Sequence, residues 1–421
     1  MAEQIRVYRE IQGAYQPVGG LSTESGSLGF SYDDDYLDDP SARSISASLP
    51  LRTGAFDEKT SRAYFDGLLP EGMTRRAFAD ALHVGYDDVM GLVAHLNNES
   101  AGALVFADAE TDPTSTRSYE PLDFAEIATF ARSPRAKALE LDMASRLSLA
   151  GAQTKIGLYH RGSSLEDGWF LPKGSAPSTH ILKAADGTFE GQSVNEALCL
   201  KTMEYLGFDT ARAQLLPVED AEPVLVVTRF DRSVSEGNAF PHRQHQFDFA
   251  QELSLPSDLK YEPTDGHYAS LSANLISRES SDPFGDRMMF FSRLLTDWAL
   301  GNCDNHLKNH SLLLDGDWST CSLSPVYDVT CTTIYPQLAR EMGVGLCDSR
   351  RIDDVTRETI RSTAGRMGIN EKMADREIES ILEQFPVALD RAEQLFLDQS
   401  FPEASALAEY IRKDFKRRSK L

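Results

Sequence analysis

The sequence lacks the features that mark disulfide-bonded, zinc-ribbon and membrane proteins. It has five cysteines in 421 residues, an odd number without a Cys-x-x-Cys pair, which argues against a disulfide framework and a zinc ribbon. No apolar run approaches the roughly 18 residues that a membrane span needs, and the N-terminus shows no secretory signal pattern. We therefore expect reduced thiols and a soluble, cytoplasmic protein that does not contact a membrane.

Positive charge is also scarce. Lys and Arg number 42 against 65 Asp and Glu, which gives a net charge of -23. Such a surface repels nucleic-acid phosphates, so binding of DNA by this chain alone is not expected. The dense basic stretch is the tail from Arg412 to Lys420. We interpret it as the solvated end of a helix, because cations are favoured at a helix C-terminus.

The length allows two or three packed units, since single cores rarely exceed roughly 250 to 300 residues. Ala107–Arg117 is polar and aperiodic and contains a proline, so it is the best candidate for a linker. The sequence predicts an N-terminal unit of residues 1–108 that mixes strands and helices. A β-rich small lobe with one helix follows at 109–231, and a mostly helical large lobe at 232–421.

Residue patterns place individual elements in these units. Apolar and alternating runs predict strands at 5–8, 44–49, 155–160, 169–171, 179–183, 215–216 and 224–227. Helical spacing predicts helices at 63–68, 73–82, 286–300, 355–395 and from 403 onward. A further helix is predicted to begin at Ser193, because Ser193-x-x-Glu196 is the pattern of a capping box, and to stop at Gly207.

The strongest chemical signal follows the predicted helix that ends before Gly301. Asp304 and Asn309 lie five residues apart in a polar loop before a predicted hairpin. Protein kinases hold a catalytic Asp and a metal-binding Asn in this setting. The carboxylate accepts the proton of the attacking hydroxyl, and the amide coordinates Mg²⁺ near the same phosphate. Taken alone, the spacing is more typical of an Asx-rich turn, so the kinase interpretation needs support from other residues.

Three further residues bear on this interpretation. Asp328, flanked by apolar residues after the hairpin, suits a second metal ligand, although alone it fits a helix cap or a turn. Lys183, at the end of a predicted buried strand, matches the strand lysine that contacts nucleotide phosphates in kinases; a solvated lysine is the alternative. Glu196 has the position of the kinase helix glutamate, but we favour its role in the capping box and leave it out of the predicted site.

The loop Ser148–Lys155 is rich in small residues, which let backbone N–H groups approach phosphate oxygens, while Lys155 supplies charge. It lacks the Walker A pattern and, taken alone, is an ordinary Gly/Ala turn. His306 and His310 lie four residues apart, but Leu307 stands where a metalloprotease motif has Glu. Zinc is therefore not expected.

In combination, these motifs resemble the HipA family of serine/threonine kinase toxins. Segments that resemble its phosphate loop, lysine strand, hinge, catalytic loop and metal loop are 148–155, 179–183, 227–232, 302–309 and 325–328. A large-lobe signature and two pieces of the family's N-terminal unit are matched by 245–249, 65–72 and 102–106. The chain departs from the family at 97–100, where relatives tend to have a glycine-containing turn.

The resemblance implies a two-lobed, protein-kinase-like α+β fold with an extra N-terminal α/β subdomain and a mostly helical C-terminal lobe. It implies ATP and Mg²⁺ as cofactors, Asp304 as the catalytic residue, and Asn309 and Asp328 as metal ligands. Implied nucleotide contacts are Ala150, Gly151, Ala152, Gln153, Thr154, Lys155, Lys183, Thr228, Phe230, Asp231, His306, Lys308 and Tyr327. It also implies autophosphorylation at Ser148, which in this family expels the phosphate loop and silences the enzyme.

The resemblance further implies a HipB-like DNA-binding antitoxin as partner, with DNA contacted only through it. Known family targets are aminoacyl-tRNA synthetases, notably the glutamyl enzyme. The alternative function is that of a catalytically silent corepressor with a kinase fold, which the presence of Asp304, Asn309, Asp328 and Lys183 disfavours. A small-molecule kinase is disfavoured because the N-terminal unit looks like a protein-docking piece.

Overall fold

The computed structural model describes most of the chain. The described residues are 4–24, 26–95, 100–108, 112–113, 117–145, 153–234, 237, 239–264 and 267–420. The predicted site residues Ser148, Ala150, Gly151 and Ala152 lie outside them, as does most of the departure from the family at 97–100. In the described residues, no helix combines the length and the hydropathy needed to cross a bilayer.

The N-terminal unit is an antiparallel sheet packed against helices. Its strands are β1 (Gln4–Ile11), β2 (Ala14–Glu24), β3 (Ser27–Tyr32) and β4 (Leu104–Asp108), and its helices are α1 (Asp34–Leu37), α2 (Glu58–Gly67), α3 (Gly72–Leu82) and α4 (Val89–His95). The strand order is β3-β2-β1-β4. The predicted strand at 5–8 and the predicted helices at 63–68 and 73–82 are confirmed, with longer bounds.

The predicted strand at 44–49 is wrong, because this segment forms only an isolated bridge between Ser46 and Leu49. Its backbone groups are bound by side chains instead of by a neighbouring strand. The Tyr32 hydroxyl donates to Leu49 O at 2.5 Å and accepts from Ile45 N at 3.0 Å. The alternation in the sequence therefore reflects the burial of these residues. Among the described residues, the segment has no strand partner.

The small lobe is built on a second antiparallel sheet of order β5-β7-β6-β8-β10-β9. The strands are β5 (Ser118–Leu122), β6 (Lys155–His160), β7 (Trp169–Lys173), β8 (His180–Lys183), β9 (Ala213–Leu216) and β10 (Val224–Thr228); the helices are α5 (Phe124–Arg132), α6 (Pro134–Ser145) and α7 (Gln192–Tyr205). The strands predicted in this lobe are confirmed. The prediction of one helix is wrong, because α5 and α6 are present as well. Both are short and are separated at Ser133, so neither carries a long periodic signal.

The large lobe is mostly helical. Its strands are β11 (Arg232–Ser233), β12 (His242–Arg243), β13 (Gln246–Asp248), β14 (Ser311–Leu314) and β15 (Cys321–Leu323), and its helices are α8 (Phe249–Glu252), α9 (Tyr268–Glu279), α10 (Pro283–Leu300), α11 (Arg357–Arg366), α12 (Glu371–Asp398) and α13 (Glu403–Arg418). The predicted helices at 286–300 and from 403 are confirmed. The predicted stretch 355–395 is divided between α11 and α12 at Gly368, whose φ of +74° ends the helical path.

Helix α10 lies in the core and leads directly to the predicted catalytic loop, residues 302–309. Asp282 caps it by accepting a hydrogen bond from Gly285 N, and Pro283 occupies its first turn. All its residues from Phe290 to Leu300 are buried. The apolar cluster around it is continuous with the core of the N-terminal unit, so the predicted boundary near residue 108 separates sheets without separating cores.

The interpretation of the basic tail as solvated is wrong for part of it. Arg418 is buried, and its guanidinium donates to Trp298 O and, at 3.2 Å, to Ala299 O. It also pairs with Asp414 at 2.9 Å. These carbonyls belong to the last turn of α10, whose C=O groups need donors from outside the helix. The tail therefore completes the end of the central helix, while Lys416 and Lys420 are exposed.

Candidate active site

A cavity of about 800 Å³ lies between the small lobe, the large lobe and the N-terminal unit. Every predicted site residue that the structure describes lines it: Gln153, Thr154, Lys155, Lys183, Thr228, Phe230, Asp231, Asp304, His306, Lys308, Asn309, Tyr327 and Asp328. These residues come from segments far apart in the sequence, so it is the fold that brings them into one wall.

The predicted catalytic loop is held by amide and carboxylate side chains. Asn302 Nδ2 donates to Asp297 Oδ1 at 2.8 Å, while Asn302 Oδ1 accepts from Asp304 N at 3.0 Å. Asn309 Nδ2 donates to Asp304 O at 2.7 Å, so the two predicted functional residues are fixed to each other. The loop is thus an Asx-rich turn as well as the wall of the cavity, and the two interpretations of its sequence are compatible. With 48% of its side chain exposed, Asp304 faces the cavity.

Tyr261 binds the Asp304 carboxylate directly. Its hydroxyl donates to Asp304 Oδ1 at 2.5 Å, and its ring packs edge-on against His306. Partial burial raises the pKa of Asp304, and the hydrogen bond from Tyr261 opposes that rise. Burial, together with the nearby Lys260, lowers the pKa of His306 well below its usual range, so its imidazole is neutral. Asp304 therefore has a fixed orientation and is a suitable proton acceptor.

Lys183 is bound by two carboxylates at the back of the cavity. Its Nζ lies 2.6 Å from Glu196 Oε1 and forms a shorter contact with Asp328 Oδ1. Lys183 and Glu196 are buried, at 5% and 3% side-chain exposure, whereas Asp328 is 33% exposed. Burial by itself lowers the pKa of Lys183, but Asp328 and Glu196 raise it above its ordinary value, so the ammonium is charged.

The capping box predicted at Ser193 and Glu196 is wrong. Helix α7 begins at Gln192 after Gly191, whose φ of +69° no other residue adopts as readily. Ser193 therefore lies inside the first turn, and its Oγ has no hydrogen-bond partner within the described part of the chain. Because Glu196 is not part of a cap, its side chain is free to point inward and pairs with Lys183. Glu196 is a site residue that the sequence pattern concealed, because a capping box and an inward-facing glutamate share the same spacing.

Asp328 has an unusual backbone and a low pKa. Its φ is +53°, a left-handed conformation that is sparsely populated except by glycine and that clusters at functional sites. Burial alone raises the pKa of its carboxyl group, but the Lys183 ammonium holds it well below its usual range. Asp328 is therefore ionised and is bound to the Lys183 ammonium. An ionised carboxylate is the form that binds a metal ion.

The hinge and the residues beneath it are tightly bonded. Asp231 is buried and pairs with Arg229 at 2.8 Å and with Arg232, and it also accepts from Gly102 N at 2.9 Å. Its carboxylate is thus bound by groups of the protein itself. The Tyr327 hydroxyl donates to Lys308 O at 2.9 Å, and the Tyr327 ring packs against Phe230. The polar groups of Asp231 and Tyr327 support the cavity wall, and their predicted role as nucleotide contacts stays a prediction.

The N-terminal unit reaches the same cavity through Glu71. Its carboxylate lies 2.6 Å from Lys308 Nζ and 2.6 Å from Lys260 Nζ. The sequence prediction for the site included Lys308 but neither Glu71, Lys260 nor Tyr261. For Glu71 the signal was its place in the segment 65–72, which also resembles the family. Tyr261 and Lys260 carry no local pattern at all.

The donor groups fit a nucleotide and a hard divalent cation. Asp328 offers a carboxylate and Asn309 an amide oxygen, and Mg²⁺ binds to one or two protein oxygens with substrate phosphates and water completing its shell. The described residues contain no group of three or more His, Cys, Asp or Glu side chains that could hold a metal ion. Ile181 and Val227 supply apolar surface suited to a base. Gln153 Nε2 is buried and, among the described residues, has no hydrogen-bond partner.

Comparison with known proteins finds similarity over most of the chain. Residues 11–107 match the family model described as HipA N-terminal domain, and residues 147–389 match that of the HipA-like C-terminal domain. A candidate kinase of Sinorhizobium fredii is 31% identical over 376 residues, which cover 87% of each chain. The serine/threonine-protein kinase toxin HipA of Shewanella oneidensis is 22% identical over 377 residues, with 87% of this chain and 84% of that protein covered.

The fold has a close counterpart among solved structures. A chain in the Shewanella oneidensis complex of HipA, HipB and operator DNA has a TM-score of 0.82 to this chain, with 19% sequence identity. The match covers 98% of this chain and 96% of that one. The likeness extends over the N-terminal unit and both lobes, and it establishes the kinase-like α+β fold.

Proposed function

This chain belongs to the HipA family, and from that membership we propose that it is an ATP-dependent serine/threonine protein kinase, the toxin of a type II toxin–antitoxin pair. The observation that carries the proposal is the meeting of Asp304, Asn309, Lys183 and Asp328 in one cavity between two lobes. A family name alone does not require these four groups to meet. The cavity wall joins a proton acceptor, an amide oxygen, a buried cation and an anion.

The residues divide the work of phosphoryl transfer. Asp304 accepts the proton of the attacking hydroxyl, and Tyr261 and Asn309 hold its carboxylate and its backbone in place. Asp328 and Asn309 would hold Mg²⁺, which when bound would neutralise charge on the transferring phosphate. Lys183 binds nucleotide phosphate, while Glu196 keeps the ammonium charged and aimed into the cavity. Positioning and charge stabilisation supply most of the catalysis in this class of reaction.

Regulation and partners follow from the family as proposals. Ser148 is the proposed site of autophosphorylation, because roughly two negative charges in a phosphate-binding loop would repel ATP. The solved Shewanella complex contains HipB and operator DNA, which supports a HipB-like antitoxin as the partner of this chain. The strong negative charge of this chain suits such a division, in which the partner contacts DNA. The proposed target is an aminoacyl-tRNA synthetase.

The activity is tested with phosphatase-treated protein, γ-labelled ATP and Mg²⁺. We expect label on Ser148 in the unaltered chain and none in Asp304→Asn, which keeps the shape of the side chain and removes its basicity. Ser148→Ala serves to locate the label. A protein that binds no ATP and incorporates no label would overturn the proposal and leave the catalytically silent corepressor, acting with its antitoxin.

The target is tested in cells. Expression of the unaltered chain is expected to arrest growth and to add phosphate to an aminoacyl-tRNA synthetase, as read by phosphoproteomics. The matched control is Asp304→Asn at equal expression. Phosphate on unrelated proteins, with the synthetases unmodified, would leave the kinase activity standing and refute the proposed target class.

A further inference from the structure

We infer that Glu71 is a positioning residue for phosphoryl transfer, so that the N-terminal unit completes the active site in addition to packing against it. This inference rests on the proposed kinase function and names a part of its machinery outside the two lobes. The structural basis is one carboxylate that binds two lysines, which belong to two different segments beside Asp304.

Glu71 stands at the start of α3 and faces the catalytic loop. Its side chain is 15% exposed, and the lysines that it binds, Lys308 and Lys260, are 7% and 13% exposed. Both N–O distances are 2.6 Å. Lys308 Nζ also donates to Gly67 O at 3.2 Å, so the N-terminal unit binds this ammonium at two points. Contacts of this kind between largely buried groups restrict both partners far more than surface ion pairs do.

Through Lys308, Glu71 fixes the catalytic loop. Lys308 directly precedes Asn309 in this loop, and its backbone carbonyl accepts from Tyr327 at 2.9 Å. Its side chain and its main chain are therefore both held by other parts of the protein. A shift of Lys308 would be passed to Asn309, whose amide binds the carbonyl of Asp304.

Through Lys260, the same carboxylate fixes the hydroxyl that orients Asp304. Lys260 directly precedes Tyr261, whose hydroxyl donates to Asp304 Oδ1 at 2.5 Å. The segment is anchored further, because Lys260 O accepts from Leu307 N at 3.1 Å. Glu71 thus acts on Asp304 by two routes, through the loop that carries it and through the tyrosine that binds it.

The charge balance agrees with this role. Burial alone raises the pKa of Glu71, but Lys308 and Lys260 lower it to about 2, so the carboxylate is ionised at neutral pH. Without it, two ammonium groups would face each other in a partly buried space, and their repulsion would separate them. Loss of Glu71 is therefore expected to displace both lysines and, with them, the surroundings of Asp304.

Asp66 offers a matched control that distinguishes a positioning role of Glu71 from a purely structural one. Asp66 belongs to the same segment of the N-terminal unit, is 16% exposed, pairs with Arg75 at 2.7 Å and accepts from Ser257 of the large lobe at 3.1 Å. It does not line the cavity. Asp66→Asn therefore weakens the same interface and leaves the catalytic loop as it is.

The experiment measures the rate of autophosphorylation of the full chain against ATP concentration, after phosphatase treatment and with Mg²⁺. Glu71→Gln is expected to lower the maximal rate by about 10- to 100-fold, the effect of an ångström-scale displacement of a catalytic group. The ATP concentration for half-maximal rate should change much less than the maximal rate. Glu71→Asp, which keeps the charge, should retain more of the rate, and Asp66→Asn should retain all of it.

Three results would overturn the inference: an unchanged maximal rate in Glu71→Gln, an equal loss in Asp66→Asn, or an effect confined to the ATP dependence. If the unaltered chain transfers no phosphate at all, the proposed function fails and the inference fails with it. An active chain whose Glu71→Gln variant is equally active would refute the inference alone.

Discussion

The Lys183 ammonium lies 2.6 Å from the Glu196 carboxylate, inside the protein and at the back of the cavity. This pair joins β8 to α7, and a helix start at Ser193 would have used the same glutamate as a cap. The position of the helix start therefore decides whether Glu196 belongs to the site.

Glu196→Gln is expected to lower phosphoryl transfer by ~10-fold or more, because a neutral amide attracts the ammonium more weakly and no longer fixes its position in the cavity. The melting temperature should fall as well, since Lys183 would be left with Asp328 as its only carboxylate partner among the described residues. The measurement is the autophosphorylation rate together with thermal unfolding. Ser193→Ala is the control, and it should not lower stability, because the buried hydroxyl is not a cap and has no hydrogen-bond partner among the described residues. A large loss in Ser193→Ala would restore the capping box.

Gly301→Ala is expected to destabilise the protein and to reduce activity. Gly301 ends α10 with a φ of +81°, where a side chain costs roughly 1 to 2 kcal/mol. An added Cβ on Gly301, which directly precedes the predicted catalytic loop, would also collide with Thr333 Oγ1. Gly365→Ala, within α11 and with open space around it, should instead stabilise by roughly 0.5 to 1 kcal/mol. Melting temperatures of the two variants should therefore move in opposite directions.

Glu252 predicts a pH dependence of stability at the junction of the N-terminal unit and the large lobe. Its buried carboxyl group accepts from Ser46 Oγ at 2.5 Å and Ala47 N at 2.8 Å. Burial raises its pKa from 4.5 to about 8, although these two hydrogen bonds oppose the rise. The folded state then binds more protons than the unfolded state between these values, so this contribution to stability falls as pH rises from about 4.5 to about 8.

The test compares the unaltered chain with Glu252→Gln, which cannot titrate. The difference in melting temperature, unaltered minus variant, should decrease steadily from about pH 5 to about pH 8. A tenfold difference in proton affinity between the folded and unfolded states corresponds to about 1.4 kcal/mol of stability. A difference in melting temperature that is constant over this range would show that Glu252 titrates at its ordinary pKa.

Arg418→Met is expected to lower the free energy of unfolding by about 1 to 3 kcal/mol, because Ala299 O at the end of α10 loses a donor and the buried Asp414 loses an ion-pair partner. Methionine keeps the apolar stem, so the loss reports the guanidinium. Lys416→Met is the control within the same helix, and its exposed side chain should make it nearly neutral. Equal and small effects would mean that the tail is solvated, as its sequence had indicated. Urea or thermal unfolding distinguishes the outcomes.

The sequence by itself determined the local elements and the identity of the central chemical groups. Helix α10 from residue 286 to its glycine stop and the strands around Lys183 follow from periodicity and turn residues, which are short-range effects, whereas the helix start at Pro283 was not predicted. The segment from 44 to 49 shows the limit of this prediction, since its sequence alternates but it pairs with no strand among the described residues. The prediction missed the short helices α5 and α6 for a related reason, because too few turns are available to show a period.

Tertiary structure decided which partners these groups have. Glu196 could be a cap or the partner of Lys183, and only the packing of α7 against β8 selects the second. Glu71, Lys260 and Tyr261 are distant from Asp304 in sequence or carry no motif, and they reach it because the N-terminal unit and the large lobe share one core. Arg418 likewise belongs to a tail whose sequence indicates a solvated basic end until α13 lies against α10. Burial of a charged group requires a partner of opposite charge, and the choice of that partner depends on contacts between segments far apart in the chain.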